Sequence, residues 1–286
     1  MTFSNLLDSL ISVGPALAGA LLSMIISWIF ARKNIPRSYR IAVIGFPQAG
    51  KTSLITALFA YLFRNGIRGA SIVARGEETI TRINAHIADM ESGVGVAPTR
   101  DQDLFAYRAE VHYRSAINFL SSRYKLEIGD FPGEQSQTFV ESESPWLHNT
   151  NYFQWAMGAD AFIFVVDSEK AAANRENYVA RQKSAFRAAW QRIQEHHIDG
   201  SVRLSRKPVI LVYSKADREL GSHFPSISSE RFHGELNEKF ADLIDYFQQD
   251  TKRFTTVLTS VVLENSSEKL GIQNLATFVL PRSTLL

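Results

Sequence analysis

The 286-residue sequence contains no cysteine. This absence excludes disulfide bonds, thiol nucleophiles and iron–sulfur clusters, because each of them needs a cysteine sulfur. It also fits a reducing compartment for the bulk of the chain. A charge excess of one sign is missing as well, since the formal net charge is only +2. The composition therefore gives no indication of nucleic acid as a partner.

Charge is also absent from a long stretch near the N-terminus, from Ser9 to Ala31. As a helix rising about 1.5 Å per residue, this stretch would be roughly 34 Å long, enough for a hydrocarbon core of about 30 Å. Residues 1–31 are therefore predicted to form a transmembrane anchor, with membrane contact through residues 9–31. Arg32 and Lys33 follow the stretch, so the positive-inside rule predicts an N-terminus outside and a cytoplasmic remainder.

Two other interpretations of this stretch remain open. A cleaved signal peptide would carry positive charges before its apolar residues, and none is found there. A buried helix of a soluble protein is the second alternative. After the stretch, residues 32–39 form a short basic linker that contains Pro36, and residues 40–286 are predicted to form the main domain.

Residues 45–52 fit the phosphate-binding spacing G-x-x-x-x-G-K-[ST] without a mismatch. The apolar run Arg40–Ile44 before them predicts a buried strand, and Ser53–Phe63 after them predicts a helix. In that context, loop N–H groups turn inward around a phosphate and the helix N-terminus adds partial positive charge. We expect Lys51 to reach the β- and γ-phosphates and the Thr52 hydroxyl to ligate Mg²⁺. The predicted loop contacts are Gly45, Gln48, Ala49, Gly50, Lys51, Thr52 and Ser53.

Strand and helix patterns alternate along the rest of the chain. Continuous apolar runs predict buried strands at Ala161–Asp167 and Pro208–Ser214. An amphipathic helix follows each run, the first with Val179, Phe186, Trp190 and Ile193, the second with Phe232, Leu236, Phe240, Leu243 and Phe247. Other predicted elements are an edge strand Ala70–Ala74, a helix Glu77–Met90, strands Leu104–Tyr113, Arg123–Ile128 and Phe254–Leu258, and a helix Ile272–Leu280. The predicted fold class is α/β, with a doubly wound, mostly parallel sheet.

Ligands of such sheets bind at the carboxyl ends of the strands, where this sequence places polar residues. Asp130 ends one strand, and an aspartate there can hold Mg²⁺ through a bound water. Gly133, three residues later, leaves room for its N–H to face a γ-phosphate. In Ser214-Lys215-Ala216-Asp217, the Asp217 carboxylate can accept two hydrogen bonds from guanine while the Lys215 stem lies over the base. After the last strand, a backbone N–H of Ser260 or Val261 can meet the guanine carbonyl.

The order of these motifs resembles the Ras-like, translation-factor-related class of P-loop GTPases over residues 40–281. The resemblance implies GTP/GDP and Mg²⁺ as ligands and Thr99 as the first-switch threonine that closes on Mg²⁺. It implies that Lys51, Gly133 and Glu134 are catalytic, with Glu134 standing where Ras-like proteins carry the water-orienting glutamine. Ser214 replaces the usual Asn or Thr, and we expect this change to weaken the link between loops. The anchor followed by such a domain is similar to signal recognition particle receptor β subunits.

Two functions follow from this resemblance. The first is a membrane-anchored switch that hydrolyses GTP slowly and binds a partner protein through segments near Thr99 and Glu134. The alternative is a non-hydrolysing GTP-binding scaffold subunit of a membrane complex. An ATPase is a third possibility, for which Ser214 is the only sequence feature in favour.

Overall fold

The computed structural model describes residues 19–24, 27, 38–67, 69–92, 105–113, 122–130, 155–174, 177–198, 204–217, 228–261 and 270–281. The chain divides into two compact units, one formed by Met1–Pro36 with Pro281–Leu286 and the other by Arg37–Leu280. The strands and helices named below all belong to the second unit.

Strands and helices alternate in the second unit. The strands are β1 Ser38–Gly45, β2 Ala70–Ala74, β3 Phe105–Tyr113, β4 Ser122–Asp130, β5 Ala161–Asp167, β6 Val209–Ser214 and β7 Phe254–Leu258. The helices are α1 Lys51–Asn65, α2 Glu77–Glu91, α3 Ser168–Ala173, α4 Tyr178–Ile198, α5 Ser229–Lys239, α6 Ala241–Asp250 and α7 Ile272–Val279. A short 3₁₀ turn, Leu204–Arg206, precedes β6.

The strands form one seven-stranded sheet in the order β2-β3-β4-β1-β5-β6-β7. β1 pairs in parallel with β4 and β5, and the β5–β6 and β6–β7 pairs are also parallel. β3 runs antiparallel to β2 and β4. The predicted mostly parallel α/β sheet is thus confirmed. The chain leaves β1 towards one edge and later returns on its other side, which makes the end of β1 the switch point where ligands bind in such sheets.

Helices pack on both faces of the central strands. On one face, Phe164 of β5 stacks on Phe247 of α6 at 4.8 Å between ring centroids, and Trp190 of α4 meets Phe162 edge-on at 5.6 Å. On the other face, Phe59 of α1 lies 5.8 Å from the ring of Tyr107 on β3. Burial of apolar strands on both sides is typical of parallel sheets and explains the continuous apolar runs in the sequence.

Helix boundaries differ from the sequence predictions where a residue adopts a left-handed or bent backbone. α1 begins at Lys51, two residues earlier than predicted, because Leu54 N already donates to Gly50 O at 2.9 Å. The added α3 ends at Asn174, which has a φ of 45° and whose Oδ1 accepts from Val179 N at 3.2 Å. Asparagine tolerates this conformation, so the chain can stop one helix and cap the next.

The region carrying Phe232 and Phe247 is predicted as one helix, and the structure has two. Phe240 has φ −107° and ψ 12°, which ends α5 and begins α6. Its side chain is fully buried, so the bend turns a large apolar ring into the core. Periodicity alone misses such a bend because apolar spacing continues across it.

The predicted membrane anchor requires a correction. Among the residues that the structure describes, no helix is both long enough and apolar enough to cross a membrane. Within 9–31, the described residues are 19–24 and 27, all helical and exposed. The prediction of a single-pass membrane protein with its N-terminus outside is therefore wrong. The other residues of this stretch lie outside the described ones.

Candidate nucleotide-binding site

The phosphate loop joins β1 to α1 at the switch point of the sheet. Register places Gly45 beside Val165 of β5, and a Cβ at Gly45 would lie 2.8 Å from the Val165 carbonyl oxygen. Only glycine therefore fits at this position. Gln48 and Gly50 have φ values of 60° and 81°, so the loop turns through the left-handed region twice. Gly50 caps α1 without a side-chain hydrogen bond, which suits a helix N-terminus that receives an anion.

Lys51 lies inside this loop. Its Nζ donates to the carbonyl oxygens of Gly45 at 2.8 Å and Phe46 at 2.9 Å, and the residue is 6% exposed. A buried ammonium must be hydrogen-bonded, and the loop itself supplies the acceptors. The charge is thus held at the loop, where a phosphate can replace one of the carbonyl contacts.

Thr52 and Asp130 meet although they lie far apart in the sequence. Thr52 Oγ1 donates to Asp130 Oδ2 at 2.9 Å, which joins the first turn of α1 to the end of β4. Asp130 is 1% exposed, and Thr52 is half-buried. A hydroxyl and a carboxylate are hard oxygen ligands of the kind that Mg²⁺ takes together with nucleotide phosphates. This pair therefore fits the predicted metal position.

Tyr107 and His86 lie behind Asp130. The Tyr107 hydroxyl is 3.2 Å from His86 Nδ1. Burial, followed by the negative charge of Asp130, raises the pKa of Tyr107. Burial and then the positive charge of Arg82 lower the pKa of His86. Both shifts favour the neutral forms of these two side chains.

Ser214 ends β6 and begins the segment Ser214–Asp217, which we call the base-reading loop. Its side chain links this loop to the phosphate loop. Its Oγ lies 2.6 Å from the Ala49 carbonyl oxygen and 3.0 Å from that of Val166, and the residue is 1% exposed. We expect a serine to hold this link more weakly than the usual Asn or Thr, and that expectation stays a prediction. The structure shows that the short side chain reaches the Ala49 carbonyl directly.

Lys215 and Asp217 follow in the same loop. Lys215 Nζ forms an ion pair with Asp167 Oδ2 at 2.6 Å. Ser260 Oγ donates to Asp217 Oδ1 at 2.9 Å, which orients the carboxylate predicted to read guanine. Thr259 ties the two loops together, because its N donates to Tyr213 O at 2.7 Å and its carbonyl accepts from Ala216 N at 3.1 Å.

The remaining predicted contacts differ in their placement. Gln48 is exposed at the loop, Ala49 is buried beneath it, and Ser53 is half-buried in the first turn of α1. The Ser260 amide donates to Leu270 O at 3.3 Å, while Val261 is 9% exposed beside it. Thr99, Gly133 and Glu134 lie outside the described residues, and their roles stay predictions.

Asp167 is the residue of this region that sequence reasoning missed. The sequence places it only at the end of the predicted strand Ala161–Asp167, and its Oδ1 accepts from Lys170 N at the start of α3. Its second oxygen, however, holds Lys215. The only sequence signal was an aspartate at the end of a strand next to β6, and this signal becomes specific only when the strand order is known.

The fold and this arrangement of loops define a Ras-like P-loop GTPase. A family model described as Double-GTPase 2 matches residues 39–275, and the chain belongs to that family. The predicted resemblance to Ras-like P-loop GTPases is thereby confirmed, without its membrane anchor. No curated protein matches the sequence.

The chain is also similar, at low identity, to several solved structures. The small GTPase Arl6 BBS3 from Trypanosoma brucei, with bound GppNp, has 12% identity and a TM-score of 0.40, covering 79% of this chain and 88% of that one. The signal recognition particle receptor SRb-GTP/SRX complex from Chaetomium thermophilum has 15% identity and a TM-score of 0.39, covering 84% and 96%. Roco2 RocCORdC of Methanosarcina barkeri, bound to GDP, has 15% identity and a TM-score of 0.33, covering 84% and 47%.

Proposed function

We propose that this protein binds GTP with Mg²⁺, hydrolyses it to GDP and acts as a nucleotide-dependent switch for a partner protein. The observation that carries the proposal is the 2.9 Å contact between Thr52 and Asp130 beside the phosphate loop. It brings a hydroxyl and a buried carboxylate to the N-terminus of α1, where a phosphate and a hard cation can be bound together.

Each of the described site residues has a defined role in this proposal. The loop from Gly45 to Gly50 surrounds the β-phosphate with backbone N–H groups, and Lys51 neutralises the phosphates. Thr52 and Asp130 would hold Mg²⁺, and the ion would supply positive charge beside the phosphates. Asp217, oriented by Ser260, selects guanine through its two acceptor oxygens.

Turnover in this proposal depends on Glu134, which lies outside the described residues. A carboxylate there can accept a hydrogen bond from the attacking water and act as its base. It also adds negative charge near an anionic phosphate, which slows the reaction. We expect slow intrinsic hydrolysis and propose the segments around Thr99 and Glu134 as the surface for the partner.

Measured GTP turnover by the full chain tests this proposal. Glu134→Ala should retain GTP binding and lose about tenfold or more in the rate of GDP formation. Glu230→Ala, which changes an exposed glutamate in the first turn of α5, serves as a matched control and should leave the rate unchanged. GTP binding without any GDP formation by the wild type would contradict the switch and favour the non-hydrolysing scaffold.

The nucleotide site itself is tested by Lys51→Ala. This change removes the buried countercharge of the phosphates and should abolish tight GTP binding. Lys252→Ala removes an exposed lysine elsewhere and is the matched control. Equal GTP affinity in wild type and Lys51→Ala would contradict the site, and full competition by ATP would contradict the choice of guanine.

A further inference from the structure

Asp167 is the last residue of β5 and is 1% exposed. Its Oδ2 accepts from Lys215 Nζ at 2.6 Å, and its Oδ1 accepts from Lys170 N at 3.2 Å. A carboxylate at this depth stays charged only where its oxygens are paired. One oxygen of Asp167 therefore pairs with Lys215 of the base-reading loop, and the other accepts a hydrogen bond at the start of α3.

Lys215 needs such an anchor because its backbone is in an unfavourable conformation. Its φ is 59°, in the left-handed region, which a lysine keeps only where the surrounding structure imposes it. Its side chain also runs along the phosphate loop, since a Cβ added at Gly50 would lie 3.8 Å from Lys215 Cγ and Cε. The ammonium is fixed at Asp167, so the stem between these two ends cannot rotate freely.

We propose that Asp167 is a positioning residue for guanine binding. Through its ion pair it holds the aliphatic stem of Lys215 in place against the base and thereby slows release of the nucleotide. This inference rests on the proposed function, because the base concerned is that of the bound guanine nucleotide. Asp167 itself does not touch the nucleotide.

The position of Lys215 determines which rates change. The lysine acts at the base, far along the nucleotide from the γ-phosphate, so release of GDP and of a non-hydrolysable GTP analogue should accelerate equally. At saturating GTP the chemical step is unaffected by Asp167, so KM rises while kcat stays constant. General destabilisation of the fold would lower the active fraction and hence kcat.

The main experiment measures release of a fluorescent, ribose-labelled GDP from the full chain. Asp167→Asn keeps the shape and an oxygen for Lys170 N, but it removes the charge that faces Lys215. Release should become on the order of tenfold faster, as expected for loss of one charge-assisted hydrogen bond. Asp167→Glu restores the charge and should recover part of the slow release.

Asp160→Asn is the matched control. Asp160 directly precedes β5, and its Oδ2 accepts from Arg40 N at 3.0 Å, at the opposite end of the strand from the loops. Its replacement also removes a largely enclosed carboxylate from the β5 region, but it leaves Lys215 untouched. Release of GDP from this variant should match the wild type.

A double-mutant comparison separates positioning from capping. In a Lys215→Gln background the ion pair is already lost, so Asp167→Asn should add little to the release rate. If Asp167→Asn accelerates GDP release by the same factor in that background, the inference is overturned. The effect would then come from the lost contact with Lys170 N at the start of α3. Equal release from wild type and Asp167→Asn would overturn it as well. A wild type that binds no guanine nucleotide would refute the proposed function, a result distinguishable from both.

Discussion

The two halves of the sheet on either side of β1 are built differently. β5 and β6 are buried at every position and have helices on both faces. In β3 and β4 burial alternates, with Tyr107 and Leu126 buried and their neighbours Arg108 and Lys125 exposed. Alternation is typical of antiparallel strands that have one solvated face. We call β5 and β6 the covered half of the sheet, and β3 and β4 the half-open half.

The candidate site uses both halves, and each contributes a different part. The covered half supplies the base-reading side through Asp167, Ser214 and Lys215, which are held by buried hydrogen bonds. The half-open half supplies Asp130 at the end of β4. The base side thus lies on strands that are buried at every position, whereas the metal side belongs to strands with one solvated face.

The largest loss of stability is expected from a substitution in the covered half. Phe164→Ala removes a fully buried ring that contacts Phe186, Trp190 and Phe247. The free energy of unfolding should fall by about 3–5 kcal/mol, because a large cavity remains. Urea denaturation measures this loss, with Phe164→Leu as a milder control. A loss below 1 kcal/mol would show that the covered half is not the stable part.

The packed face of the half-open half should come next. Leu126 is fully buried on β4, so Leu126→Ala should lower the free energy of unfolding by about 2–4 kcal/mol. Only one face of this strand is packed, so the surroundings can relax more than around Phe164. Denaturation of the two variants side by side tests the order, and a larger loss for Leu126→Ala would reverse the comparison.

Ser214→Ala tests the link between the covered half and the phosphate loop. The hydroxyl contacts the carbonyls of Ala49 and Val166 and can donate to one of them at a time, so its loss removes one buried hydrogen-bond donor. Stability should fall by about 1–3 kcal/mol. Nucleotide affinity, measured by titration, should fall as well because the phosphate loop loses its tether. Ser214→Thr retains the hydroxyl and is the control. Unchanged nucleotide affinity in Ser214→Ala would show that the Ser214 hydroxyl does not support nucleotide binding.

A pH effect is expected at the far end of the covered half. Burial, and then the positive charge of Lys207, lower the pKa of His197 to about 4. The unfolded chain protonates this histidine near pH 6.5. The folded state thus binds fewer protons between these values, and stability falls as pH drops through that window. Denaturation at pH 7.5 and 5 should show a smaller fall for His197→Gln. Equal pH slopes would contradict the shift.

The smallest effect is expected on the solvated face of β3. Arg108 Nε lies 3.9 Å from Glu127 Oε1, and its side chain is 65% exposed. Exposed ion pairs contribute little, so Arg108→Ala should change the free energy of unfolding by less than about 1 kcal/mol. A loss comparable to that of Leu126→Ala would show that this face is covered by something that packs against it.

Much of the fold could be predicted because its signals are local. Apolar runs identified β5 and β6, and the spacing from Gly45 to Thr52 identified the phosphate loop. The bend at Phe240 was missed because apolar spacing continues across it, and α3 was missed because six residues are too few for a periodic pattern. The membrane anchor was predicted from hydropathy and length alone, and no described helix is both long and apolar enough to cross a membrane.

The sequence by itself determined the elements, the phosphate loop and the residue types at the strand ends, since these depend on neighbours within a few positions. Tertiary structure decided which of those ends meet. The contacts Thr52–Asp130, Ser214–Ala49 and Lys215–Asp167 join residues that are distant in the sequence. They exist because parallel pairing sets Gly45 beside Val165 and Asp167 beside Ser214, and this register results from packing the whole sheet between its helices.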